Sequence, residues 1–254
     1  MSAKQSKLIP YVSVFLLALL TCAVIFFSGC SVTVDGAKVV RGNGTMTNGS
    51  LSYDGAITKL DLNKIKATFN ITPEQGKEVT YSIDDNLKSA LDITVTNGVL
   101  KITSNNGTYL SGKAITFNIS SDQLQEINVN DEATIKSNGP LTADTFTMTV
   151  DGAATATLAL NTQTVTLTIN GAGDITLSGT TGKLNVQNNG ASAVKARGLV
   201  AQDVSINISG AGKVEVDAEK TLDVAISGIG SVTYWGNPQL SQSTSGLASV
   251  KKGN

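Results

Sequence analysis

The second half of the chain alternates apolar and polar residues in short runs, and the runs recur at a fixed distance. Six, four and two residues before Gly152, Gly171, Gly210 and Gly228 stand Phe146/Met148/Val150, Val165/Leu167/Ile169, Val204/Ile206/Ile208 and Leu222/Val224/Ile226; Leu184 and Val186 precede Gly190 in the same way. Four and six residues after these glycines stand Ala156/Leu158, Ile175/Leu177, Val194/Ala196, Val214/Val216 and Val232/Tyr234. Strict alternation of β-branched and long aliphatic residues with polar ones marks strands with one face in and one out. The glycines, with Gly246 closing the series, are spaced by 19, 19, 20, 18 and 18 residues. A near-constant period of this size marks a solenoid, in which each coil buries its apolar face against its neighbours. The pattern therefore predicts an all-β parallel β-helix of 18–20 residues per coil. An earlier, degenerate coil shares the register, with Ile127 and Val129 before Asp131 and Ile135 after it, so the regular coils begin at about residue 122. Seven corners at ~4.8 Å per step make a stack of roughly 29 Å.

Each corner reads Asp, Asn or Ser, then Gly, then small residues. Two reasons for the glycine are expected: it adopts positive φ without a Cβ clash, and stacked corners leave little room. Asn188 interrupts an inward column and reads as an internal amide bonded to a neighbouring coil. At the far end the inward positions turn polar at Gln242, Thr244 and Lys252, as a terminal coil needs if it is to resist end-to-end association. Ahead of the repeats, residues 57–119 hold short strands such as Ala67-Thr68-Phe69-Asn70-Ile71 and Val79-Thr80-Tyr81-Ser82-Ile83, divided by turn signals at Asn97-Gly98 and Asn106-Gly107. Their irregular period fits either less regular coils or a small antiparallel cap, and in both cases one domain over residues 53–254.

Residues 1–29 combine Lys4 and Lys7 with an uncharged apolar run from Leu8 to Phe27 and a small-residue end, the layout of a secretory signal peptide. Ser28-Gly29-Cys30 resembles the lipobox of bacterial lipoproteins, with Phe27 where leucine is usual. The resemblance implies lipidation at Cys30; the alternative is an uncleaved membrane anchor, since the run is near the ~20 residues that span a bilayer. Cys22 would leave with the signal, so Cys30 is the one mature cysteine and no internal disulfide forms. Residues 30–52, rich in Gly, Asn, Ser and Thr, read as a flexible tether. Together these place the protein in the exported class, held to a bacterial membrane by lipid, with the outer membrane expected and its periplasmic or surface face left open.

The chain has no histidine, which excludes His triads and His-ligated zinc. Cleavage of residues 1–29 would move the net charge from −1 to −3, and Arg41 and Arg197 are the only arginines, so there is no basic footprint for nucleic acid. No metal or cofactor is expected: the column Thr155, Asp174, Ala193, Lys213, Ser231, Ser249 lacks the repeated aspartates of calcium-binding nonapeptide coils. Acid pairs spaced for glycan cleavage are also missing from the outward columns. Two candidate contacts remain. Thr149 and Thr168 belong to a run of outward threonines that either forms a binding face or reflects β-propensity. Trp235, beside Tyr234, is either a cap on the last coil or a sugar-stacking surface.

Three further stretches complete the pattern: Asp84-Asp85-Asn86-Leu87, Val95-Thr96-Asn97-Gly98-Val99-Leu100-Lys101-Ile102, and the ending Ile226-Ser227-Gly228-Ile229-Gly230-Ser231-Val232-Thr233-Tyr234-Trp235-Gly236-Asn237-Pro238. With the Gly-Ala-Gly corners, they resemble the auto-transporter adhesin head GIN domain family from about Ile57 to Lys252. The resemblance implies a right-handed parallel β-helix on a bacterial envelope protein, frequently lipid-anchored, and offers no catalytic residues. The expectation is a non-enzymatic interaction module that adheres to glycans or other envelope components. The alternatives are a β-helix carbohydrate-active enzyme and a purely structural envelope protein.

Overall fold

Parallel strands laid coil on coil make up the molecule, a β-solenoid of about 7 turns. The computed structural model describes residues 33–34, 37–105 and 107–254; the expected signal segment, Cys30 and Asn106 lie outside them. Strands β1 (Thr33–Val34), β2 (Ala37–Arg41) and β3 (Met46–Ser52) lead to β4 (Lys59–Leu62) and β5 (Ile65–Thr72). Then come β6 (Glu78–Asp84), a single helical turn α1 (Asp85–Lys88), β7 (Leu91–Thr96), β8 (Val99–Ser104), β9 (Tyr109–Ser120) and β10 (Glu126–Val129). From there each coil is nearly continuous strand: β11 (Glu132–Val150), β12 (Ala153–Ile169), β13 (Ala172–Asn188), β14 (Ala191–Ile208) and β15 (Ala211–Ile226). The chain ends in β16 (Ile229–Trp235), β17 (Gln239–Thr244) and β18 (Leu247–Lys252).

Two sides of the stack are the strands that the alternation picks out. Before the corners, Val129, Val150, Ile169, Asn188, Ile208, Ile226 and Thr244 stand side by side. After them, Ile135, Ala156, Ile175, Val194, Val214, Val232 and Val250 do the same. The inward residues of these columns are buried from Ile127 to Val232, and each Val, Ile or Leu contributes about 1.5–3 kcal/mol by leaving water. Tyr234, expected inward, is half-buried against this core.

A third, shorter side closes each coil, and its inward column was not anticipated. Leu141, Leu160 and Leu199 are buried there, with Gly179 aligned between the last two. Beside them run Thr162, Thr181, Ala201 and Ala218, also buried, and the Thr162 hydroxyl lies 3.1 Å from that of Thr181. This side absorbs the unequal coil lengths, since the register shifts fall here, between Lys136 and Pro140 and between Ala196 and Val200.

At the N-terminal end the order of strands in space departs from their order in the chain. Strand β4 lies between β8 and β10, and β5 between β9 and β11, all parallel. The coil of residues 59–72 is thus inside the stack, the coil of β8 and β9 is outside it, and the chain returns past both to begin β10. Beyond β9 the pairing is mixed: β2 joins the start of β9 in parallel, whereas β9 to β6, β6 to β3 and β7 to β8 are antiparallel. The early coil and the antiparallel cap are therefore both present. Phe69 and Phe117 stack at 5.2 Å and Tyr81 tilts on Phe117 at 5.8 Å, carrying the core across the change of direction.

The tether reading of residues 30–52 is corrected for 37–52, which form β2 and β3. Half-buried Thr47, Gly49 and Leu51 alternate with exposed Met46, Asn48, Ser50 and Ser52, and small polar residues hide that period from a hydropathy reading. The turn between the strands is fixed by partners distant in sequence. Asp84 accepts the Gly44 N–H at 2.6 Å, Asn86 accepts the Asn43 N–H at 3.0 Å, and Asp85 accepts the Asn43 amide at 2.6 Å. The Asp-Asp-Asn sequence is the clasp that holds this strap.

The first of the two reasons expected for the corner glycines is also corrected. Gly152, Gly171, Gly190, Gly210 and Gly228 are not among the positive-φ residues; only Gly246, at +90°, is. What excludes a side chain is the preceding coil: a Cβ at each of the five would sit 1.9–2.1 Å from a backbone carbonyl oxygen of the corner below. Those same oxygens accept the next N–H, for example Ala172 to Gly152 at 2.8 Å and Ala191 to Gly171 at 2.9 Å.

Candidate interaction surface

The sheet formed by the post-corner strands continues through β5 and β9 into the antiparallel β6 and β3, and its outer face carries two polar rows. One runs Asn48, Ser82, Thr116, Thr68, Thr134, Thr155, Asp174, Ala193, Lys213, Ser231, Ser249, with one residue from each of eleven strands. The other runs Ser50, Thr80, Asn118, Asn70, Lys136, Thr157, Thr176, Lys195, Glu215 and buried Thr233, and ends in exposed Lys251. Side chains bond along the second row: the Asn70 amide donates to Asn118 at 3.0 Å, and the Asn118 amide donates to Thr80 at 3.3 Å. Over β3, β6 and β9 the face dips into an open trough of about 550 Å³. Sequence reading missed this part, because alternation within a strand shows which residues point out but not which strands lie side by side.

The pre-corner face carries the sequence candidates Thr149 and Thr168. They are direct neighbours on β11 and β12, half-buried between Asn128 on one side and Gln187 on the other. The structure thus brings these two together and leaves Trp235 apart, at the end of β16. There Arg197, carried on the lengthened turn of β14, lies over the indole ring at 4.3 Å. The indole N–H donates to the Asn254 carbonyl at 3.3 Å, and Gly253 packs so closely that a Cβ there would overlap the ring. One ring face thus holds a cation and the ring edge holds the C-terminal residues.

Several carboxylates along the stack are engaged by nearby side chains. Asp174 pairs with Lys195 at 2.8 Å and Glu126 with Lys59 at 2.8 Å, each across neighbouring coils, while Glu215 pairs with Lys213 of its own strand at 2.6 Å. The hydrogen bond from Lys59 holds the Glu126 carboxyl below the usual range. Asp131 accepts the Lys64 N–H at 2.6 Å, and Asp151 accepts the Asn170 amide at 2.7 Å. Asn170 in turn accepts from Asn189 and Asn189 from Ser209, so an exposed amide ladder climbs the corner. Among the described residues no group of three or more acidic or thiol side chains is arranged to hold a metal. Asn188 donates to the Ala211 carbonyl at 3.3 Å, the internal amide bond expected of it, while its Oδ1 and the Ser192 hydroxyl are buried without a hydrogen-bond partner.

The family described as "Putative auto-transporter adhesin, head GIN domain" matches residues 58–238. No curated protein matches the chain. Among solved structures, a "putative adhesin" from Bacteroides fragilis aligns with a TM-score of 0.77 at 21% identity, over 84% of this chain and 99% of its own. A "putative lipid binding protein" from Parabacteroides distasonis gives 0.67 at 21%, over 85% and 100%. A "putative adhesin" from Parabacteroides merdae gives 0.61 at 19%, over 86% and 100%. At such identities these likenesses establish a common fold. The matched span takes in the Asp84–Asn86 clasp, every regular corner through Gly228 and the Tyr234-Trp235 ending, and the chain belongs to the auto-transporter adhesin head GIN domain family.

Proposed function

We propose that this is an exported, lipid-anchored bacterial envelope protein whose solenoid is a non-enzymatic binding module for glycans or other surface components. The observation that carries the proposal is the outer face of the eleven-strand sheet, where hydroxyl, amide and charged side chains follow one another across the cap and the regular coils. Such a surface offers many weak donors and acceptors in fixed register, suited to an extended hydroxylated partner held by repeated contacts. The ion pairs and amide bonds that occupy the carboxylates support a structural role for them. Lipid on Cys30 is the anchor in this reading, with the outer membrane as its place.

Two measurements test it. Intact-mass analysis of the mature protein should find a diacylglyceryl group on Cys30; an unmodified Met1 terminus would remove the anchor from the proposal. Protease treatment of whole cells should degrade the C-terminal coils if the module faces outward. Protection until the outer envelope is breached would confine binding to periplasmic partners.

A further inference from the structure

We infer that the recess between the β3–β4, β5–β6 and β9–β10 connections is a pocket for one neutral, hydroxyl-rich ring, such as the terminal residue of a glycan. The inference rests on the reading of the domain as a binding module, but it uses a surface distinct from the two polar rows. Three chain crossings meet at this corner of the stack and leave a cavity of about 290 Å³, at the small end of ligand-site volumes.

Its base is fixed. Ile57 is buried, and the Tyr53 ring is held in place by its hydroxyl, which donates to the Ser120 carbonyl at 3.0 Å. Burial first, and the nearby Asp122 carboxylate second, raise the Tyr53 phenol above its ordinary pKa, so it stays a neutral donor at every physiological pH. The connection that follows β9 is also held firmly. The buried Ser121 hydroxyl donates to the Ile57 carbonyl at 2.5 Å and accepts the Gln123 N–H at 3.2 Å.

On this framework the exposed side chains lining the recess are Gln75, Lys77, Asp122 and Gln123. The set contains one carboxylate, one ammonium and two amides, with no net charge. Adjacent hydroxyls on a ring are donors and acceptors at once, so one can donate to a carboxylate while its neighbour accepts from an ammonium or amide. The C–H face of the same ring can meet the small part of Tyr53 that stays exposed, Ile57 being buried beneath it. An anionic ligand gains from Lys77 what it loses to Asp122, and an apolar ligand leaves four polar groups without water or partners.

The test uses the full-length protein and the methyl glycosides of glucose, galactose, mannose and N-acetylglucosamine, followed by saturation-transfer NMR. At least one glycoside should bind in the millimolar range. Asp122→Ala and Gln123→Ala should each weaken it by about tenfold, the loss of one charge-assisted or amide hydrogen bond. Thermal melts would confirm that both variants remain folded, and Glu219→Ala/Lys220→Ala, at exposed positions of β15 outside the polar rows, should leave the affinity unchanged. Failure of all four glycosides to bind, or binding that survives the Asp122→Ala/Gln123→Ala double variant, overturns the pocket. If binding survives that double variant yet is lost in Thr157→Lys/Thr176→Lys, on the second polar row, the pocket falls and the binding-module reading stands. Silence of the protein on an array of extended glycans as well would remove both.

Discussion

Replacing Gly190 by alanine puts a methyl group where the preceding corner already has an oxygen. The new Cβ falls 2.0 Å from the Gly171 carbonyl oxygen and 2.5 Å from that of Asn170, whereas real Cβ contacts essentially never fall below 3.0 Å. The coil must therefore lift by about 1 Å. The Gly171 oxygen also accepts the Ala191 N–H at 2.9 Å, and the Gly190 N–H donates to Ile169 at 3.1 Å. A lift of that size takes both beyond bonding distance. Two lost backbone bonds at about 1 kcal/mol each, with about 1–3 kcal/mol of overpacking, give a loss of about 3–5 kcal/mol. For a domain of this size that corresponds to a fall in Tm of roughly 10 °C. Gly173→Ala is the control. Its nearest neighbours are aliphatic atoms of Ile169 and Ile175 at 3.3–3.5 Å, so its cost should stay under about 1 kcal/mol. Circular dichroism during thermal and urea unfolding gives both midpoints, and the earliest transition is the one to compare, because solenoid coils can unfold separately. Gly190→Asn adds a second discrimination. If the corner needed a left-handed backbone, asparagine would rescue much of the alanine loss; on the steric account it is at least as damaging. Equal midpoints for Gly190→Ala and Gly173→Ala, or rescue by asparagine, would refute the reasoning.

Asn188 stands between Ile169 and Ile208 with a buried, unpartnered Oδ1, so Asn188→Leu should stabilise the domain by about 1 kcal/mol; a loss of that size in urea titrations would show that the amide is better satisfied than its geometry indicates. Burial, helped by Glu132 and Asp131, pushes the Tyr109 phenol up to about 12 from an ordinary 10.0. The folded value lies above the unfolded one, so its stabilisation is complete below pH 10 and is lost as pH rises toward 12. Tyr109→Phe should flatten that part of the stability profile, and an unchanged alkaline slope would place its cause elsewhere. Trp235 is the one tryptophan of the chain. Arg197→Ala should therefore alter its emission and lower stability by about 0.5–1 kcal/mol, whereas an unaltered spectrum would mean that the guanidinium is not on the ring in solution. A chelator should leave Tm unchanged, and a large drop would reveal a structural metal.

The regular coils were legible because inward residues at fixed distances from a glycine are long and aliphatic in nearly every repeat. The third side was not, since its inward positions hold Gly179, Thr162, Thr181, Ala201 and Ala218, and coil length varies just there. The interleaved order of β4, β5, β8 and β9 left no local trace. A strand's alternation is the same whether its partner is twenty or sixty residues away. Residues 37–52 misled for a related reason: Gly and Asn report where a turn occurs, not whether distant Asp84 and Asn86 hold it. Asp84 is fully buried, and the absence of a Cβ at Gly42 and Gly112 is what lets the backbone close around its carboxylate.

The functional surface was less legible than the fold, because nothing in packing constrains an outward residue. Thr149 and Thr168 proved to be neighbours, yet threonine is favoured on any exposed strand, so their pairing alone does not distinguish a face that binds from one that merely folds. Register adds what composition lacks. Asn118 bridges antiparallel β6 and parallel β5 through bonds to Thr80 and Asn70, which joins the cap and the coils into one polar face. That face has a direction as well. Strands β3 and β18 lie at opposite edges of the eleven-strand sheet, ten spacings or roughly 48 Å apart. The chain joins the stack where β2 pairs with β9, so under the proposed lipid anchor that ladder bears the first load and the clasp at Asp84–Asn86 the next. The polar rows then run from that clasp to the far end, where Gln242, Thr244 and the lysines of β18 end the stack in residues that do not recruit another coil.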